Sequence, residues 1–591
     1  MLETRAGLIQ VALGRRAPEL LLHNIRLVNV YSGEILEGQA VAVWRGRIAY
    51  VGPEARAGEN TEIVDGEGMY LLPGLIDVHG HADIIVNPLV LAENILPTGT
   101  TAMLTDTHDI SGALGTEGFE RMLEATRSIP FRYYFAAPAT CPPLSEFEGR
   151  EIFSAADVAR FLARPRVLAV SEVTSWGRLT AAEPDQELLA KLVAAKAEGK
   201  RIEGHMSGCS YEKLNALTAA GFSSCHESIT AEEALHRLRL GLYVALRHGS
   251  IRADLAELSR LITENPGLDT ARVMLTPDWF APQDLLRHGY MNYLVAYAVE
   301  LGVPPVRAIQ MVTINPATYL GLDQEIGGVA PGRLADMLLV PDIRRPEPQQ
   351  VWVGGQTVAA DGKLLVSIPS FPRTTLADWR TGRVPRRPVE AQDFVLESDG
   401  DTSVPLPCIH MVNKTITKER VLDVPIVDGR LEISGLPGVM KISLWAEERQ
   451  EWTTGLLGGF GAEIGGYASA IAHETHLPMV VGSSDEEMAQ AANRMLEIGG
   501  GAVLVDGGRI IGEVPLGIGG LLSGAGLSET AAAWMSLNTY LQGKGCPWDD
   551  PLFGLGFLAF TGLPYVRITP RGIVDVRKQK VIFKGRRGAI T

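Results

Sequence analysis

The stretch LLPGLIDVHGHAD sets His79 and His81 two residues apart at the end of an apolar run. In an extended strand, positions i and i+2 project from the same face, so both imidazoles can reach one cation. Further along, Glu172 follows the apolar run in LAVSEV, His205 ends IEGH, His226 lies in SSCHE and Asp278 in MLTPDW. Four histidines and two carboxylates are nitrogen and oxygen donors that suit Zn²⁺, Mn²⁺ or Fe²⁺, and a carboxylate can span two ions. A lone histidine is more often a hydrogen-bonded core residue than a ligand. Six donors, each at the end of a strand-like run, are poorly explained in that way.

The elements that must carry these groups alternate in type. From Leu75 to about Leu320, strand-like runs (GLIDV, TAMLTD, VLAVSE, RIEGH, LYVALR, RVMLTPD) are separated by helical ones such as AADVARFLAR and PDQELLAKLVAAKAEGK. Repeated β then α over roughly 250 residues is the size and rhythm of a (β/α)8 barrel, whose active sites gather at the strand ends. The barrel is predicted over 73–320. Short β-rich blocks on either side, 1–72 and 321–368, are each too small to bury a sheet alone and are expected to form one composite β-domain. A Pro- and Arg-rich connector, 369–388, leads to a C-terminal α+β domain over 389–591. The fold class is therefore α/β, with a composite β-domain and a C-terminal α+β domain beside the barrel.

Hydrophobic residues make up 46% of the 591 residues and charged ones 21%, so a packed core is expected and disorder is not. The formal charge of −15 disfavours a nucleic-acid partner, because such binding rests on neutralising phosphates. Five scattered cysteines without a CxxC pair argue against a disulfide framework or a thiolate zinc site and point to a reducing compartment. The apolar run Gly7 to Gly14 is too short and weak for a secretory leader, and no stretch approaches the roughly 20 apolar residues of a membrane span. A soluble cytoplasmic protein without a membrane partner is expected, assembled as a homo-oligomer, in the simplest case a dimer.

The stretch PGLIDVHGH resembles the first-strand signature of the amidohydrolase superfamily, and the chain resembles its bacterial adenine deaminases in particular. The matching stretches include TDTHDISGALG, EGHMSGCSYEKLNALTAAGFSSCHES, INPATYLGL and GGVAPGRLADMLLV, and beyond the barrel GGYASAIAHETH, MVVGSSDEEMA, GGLLSGAG and DPLFGLGFLAF. The resemblance implies a cofactor of two divalent metal ions, Mn, Fe or Zn. His79, His81 and Asp278 would hold one, His205 and His226 the other, with Glu172 bridging. It also implies the chemistry: water activated by two cations attacks the amine-bearing carbon of adenine, and Asp278 relays the proton to departing ammonia. His108, in the stretch that matches an Asp-Pro-His-Glu run, is expected at the site with Glu172 and Asp278.

The pattern is not uniform. A Glu-Ser-Ser run of the family is replaced by Asp83, Ile84 and Ile85, a pair of aspartates by Asp278 and Trp279, and an Arg-Glu-Gly-Ser run by Arg247, His248, Gly249 and Ser250. Asp83, Arg247, His248 and Trp279 are thus expected to contact the substrate, with Arg247 either gripping it or pairing with a carboxylate. His473 and His476 are expected in a hydrogen-bonded role within the C-terminal domain. Alternatives stay open: a different amino-heterocycle, a cyclic amide, or a degenerate module that only binds.

Overall fold

The computed structural model describes residues 2–149, 151–371, 383–399 and 402–585. Of the expected connector 369–388, residues 372–382 lie outside the described residues.

Eight strands form the barrel: β1 (Leu75–His81), β2 (Thr100–Asp106), β3 (Arg132–Ala137), β4 (Val167–Val173), β5 (Arg201–Gly204), β6 (Ser224–Cys225), β7 (Tyr243–Arg247) and β8 (Val273–Thr276). The first five pair in parallel as one sheet and the last three as another. A parallel bridge between Gly80 and Asp278 links β1 to the chain just past β8. The connecting helices begin where the sequence supplies caps. Ser154 makes a capping box with Asp157 ahead of helix Ala155–Leu162. Asp185 accepts from Leu188 N ahead of helix Gln186–Ala197.

The two flanking β-rich blocks meet in one nine-stranded sheet. Its join is the antiparallel pairing of Met337–Val340 with Tyr70–Pro73, where Leu338 faces Leu72. Arg132, at the start of β3, grips Asp336 through Nε and Nη2 at 2.5 and 2.8 Å and fastens that sheet to the barrel. The tight hairpin between Glu34–Trp44 and Arg47–Gly52 turns at Arg45 and Gly46, both in the left-handed region. A Cβ at Gly46 would lie 2.7 Å from Gly354 O, so glycine is required there. The sequence pattern did not reveal the helix Leu2–Ala12 that precedes this sheet.

Beyond the connector, a second nine-stranded sheet runs from Ser403 to Pro515, backed by helix Asp485–Glu497. This C-terminal region sits on the mouth of the barrel. Leu522–Ser523 pairs in parallel with Ile85–Val86, just past the HxH strand. Asn87 Nδ2 donates to Ser523 O at 2.8 Å. Arg383 donates to Ala113 O at 2.9 Å on one side of the seam and to Thr475 O at 2.8 Å on the other. No helix among the described residues is long and apolar enough to cross a membrane.

Glu148 belongs to the same seam. Its Oε2 accepts from Leu144 N at 2.8 Å and from Thr561 Oγ1 at 2.5 Å. Burial pushes its carboxyl up to about 8. Below the ordinary value of 4.5 both folded and unfolded chains carry the proton; between 4.5 and about 8 only the folded chain keeps it. The stability contributed by this group is therefore complete at low pH and is lost as pH rises toward 8. Glu148→Gln, which cannot ionise, is expected to gain on the wild type by an order of a few kcal/mol between pH 5 and pH 8, widening the gap in melting temperature by several degrees. A gap that does not change with pH would contradict this.

Candidate metal centre

The six metal-capable residues predicted from strand ends converge at the C-terminal face of the barrel. His79 and His81 lie on β1, Glu172 is the penultimate residue of β4, and His205 and His226 follow β5 and β6 by one residue. Asp278 stands two residues beyond β8 with φ of 64°, in the left-handed region that aspartate tolerates better than most residues. That turn brings Asp278 Oδ1 to 3.2 Å from His79 Nε2 and 3.2 Å from His81 Nε2. Glu172 divides its oxygens: Oε1 is 3.6 Å from His81 Nε2, whereas Oε2 is 2.5 Å from His205 Nδ1 and 3.2 Å from His226 Nε2. All six residues are at most 8% exposed apart from the half-buried His81.

These donors fit a divalent cation. Among the described residues, His79 Nε2 and His226 Nε2, which face Asp278 and Glu172, are buried without a hydrogen-bond partner. Buried polar atoms are normally paired, so unpaired imidazole nitrogens that converge on carboxylates call for a ligand. Three groupings have their ligand atoms within 4.8 Å of one another: His79 with His226 and Asp278, His79 with His81 and Glu172, and Glu172 with His205 and His226.

A surrounding layer sets orientation and charge. Glu203, two residues before His205, lies 3.1 Å from His79 Nδ1, which leaves Nε2 facing inward. Asp106 accepts from Glu172 N through Oδ2 and from His108 N through Oδ1, both at 3.0 Å. Arg247, the last residue of β7, pairs with Glu227 and with Asp278 Oδ2, the latter at 2.6 Å. Burial alone would raise Glu172 and Asp278; His205 and His226 around the first, and Arg247, His79 and His81 around the second, outweigh it and hold both well below the usual carboxylate range. His226 is lowered to about 4, by burial and then by His79, whose ring stacks on it at 4.0 Å.

The remaining predicted residues divide. His108 begins the helix after β2 and joins the cluster, with Nδ1 3.2 Å from Asp106 Oδ1 and 3.6 Å from Glu172 Oε1. Asp83 lies behind His81, accepts from Ile110 N at 2.9 Å, and is raised to about 7 by burial and by Asp109. Arg247 takes the carboxylate-pairing role of the two considered. His248 turns outward, its ring 4.6 Å from that of Tyr297 and its Nε2 3.3 Å from Tyr293 Oη. Trp279 stacks on Phe553 of the C-terminal region, with centroids 4.3 Å apart at 11°. His476 is hydrogen-bonded as expected, yet its partner is in the barrel, Asp109 Oδ1 at 2.7 Å; His473 Nδ1 lies 3.3 Å from the same oxygen without a hydrogen bond. Sequence reasoning missed Glu203 and Glu227, although the two-residue period from His205 and the direct adjacency to His226 were signals for them.

Arg247 neutralises two buried carboxylates, and removing one partner of such a set typically costs about 3–5 kcal/mol. Arg247→Met, which keeps the length and loses the charge, is expected to destabilise the metal-free protein by that amount in thermal unfolding. A change below about 1 kcal/mol would contradict the assignment.

The same groups can be placed in a wider context. Residues 70–358 match the model of the amidohydrolase family, and residues 414–580 match that of the adenine deaminase C-terminal domain. The chain is 36% identical over 586 residues to an adenine deaminase of Cenarchaeum symbiosum, covering 97% of this chain and 94% of that one. It is 34% identical to one of Moorella thermoacetica, covering 98% of each, and 32% identical to one of Kosmotoga olearia, covering 98% and 99%. With relatives matched end to end in both the barrel and the region that caps it, the chain belongs to the adenine deaminase family of amidohydrolases.

Proposed function

We propose that this protein hydrolyses adenine to hypoxanthine and ammonia at a centre of two divalent cations. The amidohydrolase family works with divalent metal ions. The observation that carries the two-ion reading is the division of Glu172, whose Oε1 is 3.6 Å from His81 while Oε2 is 2.5 Å from His205 and 3.2 Å from His226. One carboxylate thereby serves a His79, His81 and Asp278 set on one side and a His205 and His226 set on the other. When bound, the cations supply Lewis-acid charge that lowers the pKa of a water molecule toward neutrality.

The chain's own groups do the rest. Asp278 presents Oδ1 to the two β1 histidines while Arg247 fixes Oδ2 at 2.6 Å. It accepts the proton of the attacking water and returns it to the departing nitrogen. The bond from carbon 6 to oxygen forms, the bond from carbon 6 to the amine breaks, and ammonia leaves. His108, held by Asp106, faces the same space and orients the water or the purine. Covering of the barrel mouth by the C-terminal region excludes bulk water, which strengthens each of these interactions.

Two departures from the family pattern have another use in this chain. Ile85 pairs with Leu522, and Trp279 stacks on Phe553, so both are engaged by the C-terminal region. The ring stacking accounts for Trp279, and adenine is the substrate that the family relationship supports.

Steady-state assays of the metal-loaded protein should yield hypoxanthine and ammonia in equal amounts from adenine. Failure on adenine together with ammonia release from another amino-heterocycle would overturn the substrate. Glu172→Gln should lose binding of both cations together and lower kcat/KM by at least about 100-fold. Retention of full metal and full activity would remove Glu172 from its bridging role.

A further inference from the structure

A second cluster of donors lies where the C-terminal region meets the barrel. Ligand atoms of His108, His473 and Glu474 stand within 4.8 Å of one another, the spread expected for groups around one ion. His108 comes from the helix that follows β2, whereas His473 and Glu474 come from the segment after strand Gly466–Ser469. We propose that these three side chains hold a third divalent cation, separate from the pair on Glu172, which fastens the C-terminal region to the catalytic barrel.

Three observations support the site. Both ring nitrogens of His108, Nδ1 of His473 and both carboxyl oxygens of Glu474 are buried without a hydrogen-bond partner among the described residues. Glu474 is only 1% exposed, and a buried carboxyl with neither oxygen paired costs several kcal/mol unless something binds it. The two nitrogens of His108 face different neighbours: Nδ1 is turned to Asp106 and Glu172, and Nε2 is 3.5 Å from Asp109 Oδ2 on the side of His473. Nε2 is thus free for an ion that the Glu172 pair does not use.

The backbone is also bent to this end. Glu474 has a φ of 63° and His476 one of 48°, both in the left-handed region. Such strain in residues with side chains persists where the surroundings demand it. Asp109 supplies the supporting carboxylate, hydrogen-bonded to His476 Nε2 at 2.7 Å and lying 3.3 Å from His473 Nδ1. A cavity of about 360 Å³ opens along the seam, with Glu474 in its wall and both glutamates and arginines, Glu447 and Arg383 among them, around it. It gives a cation a route to Glu474 from the surface. Two imidazoles and one carboxylate suit a borderline ion such as Zn²⁺ or Mn²⁺.

The test uses the full chain, stripped with a chelator, reloaded with Zn²⁺ and desalted before elemental analysis. About three ions per chain are expected in the wild type, and about two in both Glu474→Gln and His473→Gln. The third equivalent should raise the melting temperature of the wild type and leave those of the two variants unmoved. A wild type that saturates at two ions, with Glu474→Gln and His473→Gln binding the same number, overturns the proposal. So does an equal rise in melting temperature for all three proteins. Glu172→Gln separates this site from the catalytic pair: it should lose the pair and keep the third ion, so a failure of the bridging assignment shows there and not in the Glu474 and His473 variants.

Discussion

Glu172 is an ionised carboxylate almost out of reach of water, 5% exposed, at the centre of the barrel mouth. An ion in such a place is tolerated only when positive charge and hydrogen-bond donors surround it. Its own N–H donates to Asp106, its oxygens meet His81, His205 and His226, and those histidines are in turn ordered by carboxylates farther out. The alternation of acid and imidazole continues outward through His79 to Glu203 and through Arg247 to Glu227. Removing any member of this network would leave another buried charge or donor without its partner.

That constraint explains the architecture around it. Parallel strands end at one face of the barrel, so side chains distant in sequence arrive together with their backbones already hydrogen-bonded. The C-terminal region then covers the mouth. It does so by strand pairing at Ile85, by ring stacking on Trp279, and by a histidine pair on Asp109. Ile85 adopts a φ of 64°, unusual for a β-branched residue, immediately beside the HxH strand. The strain is placed where the catalytic barrel meets its cover.

The barrel and its six donors were legible in the sequence because both follow short-range periods. His79 and His81 obey the two-residue repeat of a strand, and each other donor lies at or just past the end of an apolar run. What local pattern does not carry is pairing across the chain. His476 and Asp109 are 367 positions apart, and nothing local to HETH points to the barrel. The contact of the His248 ring with Tyr293 and Tyr297 of the helix Met291–Glu300 is also beyond local pattern. The double engagement of Arg247 was likewise open in sequence, since either a substrate anion or a carboxylate satisfies a guanidinium.

Glu172 is the group on which the proposed pair of ions depends. Anomalous diffraction from crystals of the metal-loaded chain tests that dependence directly. At Glu172 two peaks about 3.5–4 Å apart are expected, one against each of its oxygens, apart from any peak at His473 and Glu474. Fewer than two peaks in contact with Glu172 would contradict it.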